Sequence, residues 1–254
     1  MSFYKLIFSP TGGTQKAADA LAQAWGPPDG VVDLTDAGAD FARCSLTGGD
    51  TALIAVPSFG GRVPALAAER LRCIRGNSAA CVLLCVYGNR AYDDTLAELA
   101  DIAGQCGFRV TAAVSAVAEH SILRRYAAGR PDARDRATLA SFAGQIQEKL
   151  ARSEAGRAPE LPGRPPVKKP GGPALTPKAG KDCVNCGLCA KLCPAGAIDA
   201  ADAGRCDRGK CISCMRCIAR CPHQARQINS LLTAAAGLAI RKACSIRKEP
   251  ELFL

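Results

Sequence analysis

The chain reads as an α/β protein, and three features of its sequence predict this. Over residues 1–152, five strongly apolar runs alternate with amphipathic helical patterns; residues 153–180 carry seven prolines and five glycines in 28 positions; and residues 181–230 hold two copies of one cysteine pattern. Strands this apolar are buried on both faces, which requires helices above and below a parallel sheet. The expectation is therefore a doubly wound, five-stranded parallel sheet over 1–152, an extended linker over 153–180, a small cysteine-bearing domain over 181–230 and a helical tail over 231–254.

The first strand is FYKLIF at 3–8, followed by a helix from Thr14 to Ala24 and a second strand at VVDL, 31–34. TALIAVPSF at 51–59 supplies the third strand and a helix follows at 64–72. ACVLLCVY at 80–87 is the fourth strand, with a helix at 93–103, and FRVTAAVSAVA at 108–118 is the fifth, closed by a helix at 133–150. Ligands of such sheets lie beyond the carboxyl ends of the strands, so the loops after strands one, three and four are where a site is expected.

The bulk numbers bound the function. At 254 residues and 48% hydrophobic, the chain can bury a sizeable core. Its start, MSFYKLIFSPTGG, has neither the basic nor the apolar region of a secretory signal, and LLTAAAGLAI at 231–240 is too short to span a bilayer, so a cytoplasmic protein without membrane insertion is expected. The net charge of +10 is concentrated in the second part, where residues 153–254 carry 17 Lys and Arg against 8 Asp and Glu. Those residues include one aromatic, Phe253, which argues against nucleic-acid binding.

Of 15 cysteines, eight fall in the two compact clusters. The other seven, Cys44, Cys73, Cys81, Cys85, Cys106, Cys206 and Cys244, read as core thiols. Cys183, Cys186, Cys189 and Cys193, followed by Pro194, recur 28 residues later as Cys211, Cys214, Cys217 and Cys221, followed by Pro222. Zinc sites usually pair two short cysteine clips across a longer loop, and a disulfide framework needs an oxidising compartment. Three cysteines spaced three apart can cap three irons of one cubane, while the fourth points to the neighbouring cluster. The ligand sets are then crossed: Cys183, Cys186, Cys189 and Cys221 for one [4Fe-4S] cluster, and Cys211, Cys214, Cys217 and Cys193 for the other. Together with AGAI at 195–198, residues 181 to 228 closely resemble the bacterial two-cluster ferredoxins, a small α+β domain. Cys206, five residues ahead of the second motif, reads as a bystander, and His223 as a surface residue or a hydrogen-bond donor to the nearby cluster.

On the first domain, SPTGGT leads directly into a helix, so Ser9, Thr11 and Thr14 with the amides of Gly12 and Gly13 can surround an anion, unless the stretch is a plain glycine turn. It is neither a Walker A loop nor GxGxxG. PSFGGRVP at 57–64 brings Ser58, Phe59, Gly60 and Gly61 to the same edge, and YGNRAYDD at 87–94 brings Gly88, Asn89, Arg90 and Tyr92. Phe59 and Tyr92 can sandwich a flat ring, and the peptides at Gly60 and Gly61 can turn toward a ring nitrogen.

These three loops resemble those of the flavodoxins, which implies a flavodoxin-like fold and FMN as cofactor, with Gly13 standing where the usual loop has asparagine. The wording GGRVP, YGNRAYDD and AEHS, joined through a proline-rich linker to two cluster motifs, is similar to that of the flavodoxin-ferredoxin fusion proteins. Arg62 and Arg90 read either as solvated loop charge or as cations facing the ring, where they favour the anionic reduced flavin. His120, in AEHS, is the candidate proton donor beside Arg90. The expected function is electron transfer between FMN and the two clusters and on to a soluble, acidic redox protein. An FMN- and iron-sulfur-dependent reductase of a small molecule held at the flavin, and a redox-sensing module, are the alternatives.

Overall fold

In the computed structural model, which describes residues 2–152, 157–164 and 175–254, the apolar runs become the parallel strands of one sheet. They are β1 (Phe3–Ile7), β2 (Gly30–Asp33), β3 (Thr51–Pro57), β4 (Ala80–Tyr87) and β5 (Arg109–Val117). Their order across the sheet is β2-β1-β3-β4-β5, the flavodoxin-like doubly wound order. All eight residues of β4 are buried, as a strand covered on both faces requires. Successive side chains divide between two cores. Leu6, Ile54 and Leu83 pack on one face, whereas Ile7, Leu53 and Val82 pack on the other.

Helices α1 (Gly13–Ala22) and α4 (Ala133–Ala151) cover the Ile7 face, and α2 (Ala65–Leu71) and α3 (Thr95–Gln105) the Leu6 face. Helix α4 starts where Asp132 and Asp135 exchange side-chain and backbone hydrogen bonds in a capping box. Cys81 and Cys85 are buried in the Leu6-face core, which fits their reading as core thiols, whereas Cys73 is exposed.

The five-strand count needs correction. A sixth strand, the last element of the chain, lies antiparallel beside β5 and comes from the tail that was expected to be helical throughout. Of the expected linker, residues 153–156 and 165–174 lie outside the described residues. The end of the expected linker is not unpaired extended chain but forms β6 (Lys178–Ala179), and the cysteine segment that follows contains the short helices α5 (Leu188–Lys191) and α6 (Arg216–Ala219) and β7 (Arg226–Gln227), which pairs antiparallel with β6. Then come helix α7 (Ser230–Cys244), capped by the Asn229 side chain, and strand β8 (Glu251–Phe253), the sixth strand. The Glu251 carboxylate accepts hydrogen bonds from Ser115 Oγ at 2.9 Å and Tyr92 OH at 2.8 Å, which holds β8 against the sheet.

Two arginines tie the cysteine module to the sheet. The buried Arg70 guanidinium donates to the carbonyl oxygens of Leu34 and, at 2.7 Å, of Pro194, which directly follows Cys193. Arg216 reaches the Ser9 carbonyl at 3.5 Å. The module therefore sits over the carboxyl ends of the strands, the edge where ligands of this fold class bind.

Candidate functional site

The repeat seen in the spacing of the cysteines is also a repeat of backbone conformation. Asn185 and Ser213, Gly187 and Met215, and Gly196 and Gln224 are pairs 28 residues apart, and all six have positive φ. These left-handed residues turn the chain around each group of thiols, and helices α5 and α6 keep the same offset. Only two of the six are glycine, so the fold holds Met215 and Gln224 in a conformation that costs roughly 1–2 kcal/mol each. The fourth cysteines match as well. Ala197 N–H donates to Cys193 Sγ at 3.3 Å and Ala225 N–H to Cys221 Sγ at 3.4 Å, bonds that favour a negatively charged sulfur.

Cys193, Cys211, Cys214 and Cys217 line one cavity together with apolar Ile198, Ile212 and Met215. This is the crossed set expected to hold one cluster. Burial, with neighbouring thiols adding to it, pushes the Cys214 thiol up to about 11 and the Cys217 thiol up to about 12. Ligation must therefore displace protons, as metal binding to thiols does. Cys206 lines the same cavity, and burial raises its thiol to about 11. The other set lies nearer the surface: Cys186 is exposed, Cys183 and Cys189 are half-buried, and half-buried Cys221 lines a groove shared with Thr11, Gly13 and Lys16 of the sheet edge. Among the described residues, no three His, Cys, Asp or Glu side chains close tightly enough to hold a single metal ion. Thiols that bind separate irons at the corners of a cluster need no such common point. His223 is exposed.

The second part of the site is a cavity at the sheet edge, lined by Thr11, Gly13, Thr14, Ser58, Phe59, Gly88 and His120, and also by Cys214. Its loops follow β1, β3, β4 and β5, so it lies at the β1/β3 switch point of the sheet. Gly12 caps α1 with φ 93°, and Ser9 Oγ accepts from Gln15 N at 2.9 Å, which leaves the Thr11–Thr14 turn at the positive end of the helix. Gly60 and Gly61 have φ 60° and 81° and turn between mutually hydrogen-bonded Phe59 and Arg62, as in a two-residue hairpin. An adjoining opening is lined by Gly60, Gly61, Arg90 and His120 on one side and by Cys211, Ile212 and Ser213 on the other. Helix α7 contributes Ala236 and Ile240 to it.

His120 packs on Gly88, where a Cβ would come within 2.6 Å of the imidazole. Burial holds the His120 pKa below its ordinary value. Its Nδ1 accepts from the amides of Ile122 and Leu123 at 3.2 Å each, so the neutral ring carries its proton on Nε2.

Three expected site residues are engaged elsewhere. Asn89 is buried; its Nδ2 donates to the carbonyls of Cys244 at 3.0 Å and Ile246 at 2.9 Å, and its Oδ1 accepts from Lys248 N at 3.1 Å. It fastens the tail rather than a ligand. Tyr92 bonds Glu251 and stacks edge-on against Tyr87 at 5.3 Å, and Tyr87, not Tyr92, lines the sheet-edge cavity. Arg62, read as solvated charge or as a cation facing the ring, forms a half-buried ion pair with Glu98 at 2.8 Å and is not among the residues lining the opening. Arg90 lines the opening while paired with Asp93. No local pattern signals that Cys214 and α7 line the same cavities as the sheet loops, because those contacts join distant parts of the chain.

The paired cysteine nests separate this molecule from an ordinary doubly wound protein. Residues 182–225 match the 4Fe-4S dicluster domain family. An iron-sulfur electron-transfer role follows for this dicluster module, which occupies the small C-terminal domain. No curated protein matches the chain. Among the described residues, no helix is long and apolar enough to cross a membrane.

Proposed function

We propose that the protein carries electrons between two [4Fe-4S] clusters on the dicluster module and FMN at the sheet edge. The observation that carries this reading is Cys214, which lines both the four-cysteine cavity and the sheet-edge cavity. A ligand of one cofactor thereby forms part of the wall around the other. When bound, each cluster accepts one electron and the flavin two.

Cys193, Cys211, Cys214 and Cys217 hold the inner cluster, in a cavity whose apolar lining excludes water. Cys183, Cys186, Cys189 and Cys221 hold the outer one, near the surface. The turn Thr11–Thr14 meets the flavin phosphate with amides that have no partner inside the helix. Phe59 and Tyr87 flank the ring, and the Gly60–Gly61 turn presents its peptides to the ring edge. Exposed Lys181, Lys191 and Arg220 around the outer set suit an acidic redox protein docking there.

The test is anaerobic purification with iron, acid-labile sulfide and flavin quantified. Two clusters' worth of iron and sulfide with one FMN per chain is expected. Zinc-loaded, sulfide-free protein would overturn the cluster assignment, and iron and sulfide without flavin would remove FMN from the proposal. A second reading, reduction of a small molecule at the flavin, is favoured by the opening beside Arg90 and His120. Stopped-flow reoxidation separates the two, since a carrier reacts faster with protein acceptors than with small ones.

A further inference from the structure

One buried charge breaks the symmetry of the dicluster module. The 28-residue repeat places Ile198 in the first half where the second half has Arg226. Arg226 is only 3% exposed. Its Nη1 donates to the Ala203 carbonyl at 2.6 Å and lies 3.5 Å from Cys189 Sγ, while its Nη2 donates to the Pro177 carbonyl at 3.0 Å. The Nε–H is buried with no hydrogen-bond partner. Two carbonyls thus hold the guanidinium still, but neither cancels its charge.

An arginine in a protein does not lose its proton, and the effective cost of burying such a cation is several kcal/mol unless negative charge lies close by. The sulfur in contact with Arg226 is that of Cys189, and the Cys217 and Cys206 thiols, when ionised, also favour its charge. Cys189 belongs to the outer ligand set and Cys217 to the inner. As metal-bound thiolates these sulfurs would be permanently anionic, so a buried cation would lie against the outer ligand set through Cys189 and within the field of Cys217.

We infer that Arg226 is a countercharge shared by the two clusters, a positioning residue that raises the reduction potential of both through the thiolates of Cys189 and Cys217. The inference rests on the cluster assignment proposed above. Every electron added to a cluster adds negative charge, so a fixed cation favours the reduced state and its removal disfavours it. Because Ile198 supplies no matching charge on the other side, the two clusters depend on one side chain for this effect. The direct contact to Cys189 makes the outer cluster the more sensitive.

The experiment is a potentiometric titration of the full chain, followed by electron paramagnetic resonance, for wild type, Arg226→Gln and Arg226→Lys. Iron and sulfide contents are measured on the same samples. In Arg226→Gln the reduction equilibrium constant of the outer cluster should fall at least tenfold, about 59 mV for a one-electron couple, with a smaller fall at the inner cluster. Arg226→Lys keeps the charge but not the fork that reaches Cys189, so its shift should have the same sign and be smaller. Should Arg226→Gln lose its clusters, Arg226→Lys decides the matter alone: a fall at the outer cluster supports the inference. Potentials equal to wild type in the loaded variants would overturn it while leaving the cluster assignment intact. Wild-type protein without acid-labile sulfide would instead overturn the assignment itself.

Discussion

The two halves of the dicluster module share one backbone path but occupy opposite environments. In the second half Cys214 and Met215 are buried, at 9% and 2% exposure, against the edge of the sheet. In the first half their counterparts Cys186 and Gly187 are exposed and half-buried, and Val184 is 62% exposed. Repetition of the sequence therefore does not produce repetition of role. The second half faces the sheet-edge cavity, whereas the first half leaves Cys186 and Val184 exposed, so the two repeats are not equivalent; in the proposed function the exposed half is where a redox partner would dock.

The strongest way to break this comparison is to remove one ligand from each half. Cys186→Ala and Cys214→Ala should each lose about half of the iron and sulfide, because metal affinity depends on a complete thiolate set. Only Cys214→Ala should also abolish rapid electron exchange between the remaining cluster and the flavin. Metal analysis and stopped-flow absorbance check both outcomes. Equal rates in the two variants would remove the inner and outer distinction.

A smaller effect is expected where the first half is fastened to the sheet. Arg70→Ala leaves the buried carbonyls of Leu34 and Pro194 without their charged donor, which should cost about 1.5–3 kcal/mol. Urea denaturation followed by cluster absorbance should show the module released at lower urea than the sheet unfolds.

The tail gives a test by pH. Arg247 bonds the Asp132 carboxylate at 2.7 Å and 3.2 Å and thereby holds its pKa well below the usual carboxylate range. A carboxylate whose pKa is lowered on folding contributes stability at pH above its unfolded value, about 4, and that contribution is lost as pH falls through the folded value. Both side chains are partly exposed, so solvent screening limits the contribution to about 1 kcal/mol or less. Thermal unfolding from pH 6 downward should fall less steeply for Arg247→Ala than for wild type.

The smallest effect compares the third pair of left-handed residues. Gln224→Gly should stabilise the second half by up to about 1 kcal/mol, and Gly196→Gln should destabilise the first by a similar amount. Open space surrounds Gly196, so its penalty comes from the backbone alone.

Much of the fold is legible in the residues because burial on both faces leaves continuous apolar runs, and β4 shows this most plainly. That the loops after β1, β3 and β4 meet at one edge was legible because all parallel strands of a doubly wound sheet end on the same side. Their individual side chains were less so. Tyr87 ends β4 and Tyr92 lies in the loop after it, and the Tyr92 hydroxyl donates to the Glu251 carboxylate of β8 while Tyr87 lines the cavity. Asn89 looks like a ligand residue by position, yet three of its partners, Cys244, Ile246 and Lys248, lie 155 to 159 residues further along the chain. Strand β8 was missed because a three-residue edge strand carries too little periodicity to register, and its pairing depends on Ser115 and Tyr92.

The amino-acid order settled the cysteine spacing and its repetition, because a ligand's distance along a short loop limits the object that the loop can wrap. It also settled the alternation of strand and helix, since apolar patterning is a local property of the chain. Packing between distant segments chose which half of the module faces the sheet, which aromatic meets the cavity and which cation lies among the thiols. Those outcomes depend on carbonyls, carboxylates and sulfurs that become neighbours once the chain has folded, and no local pattern encodes them.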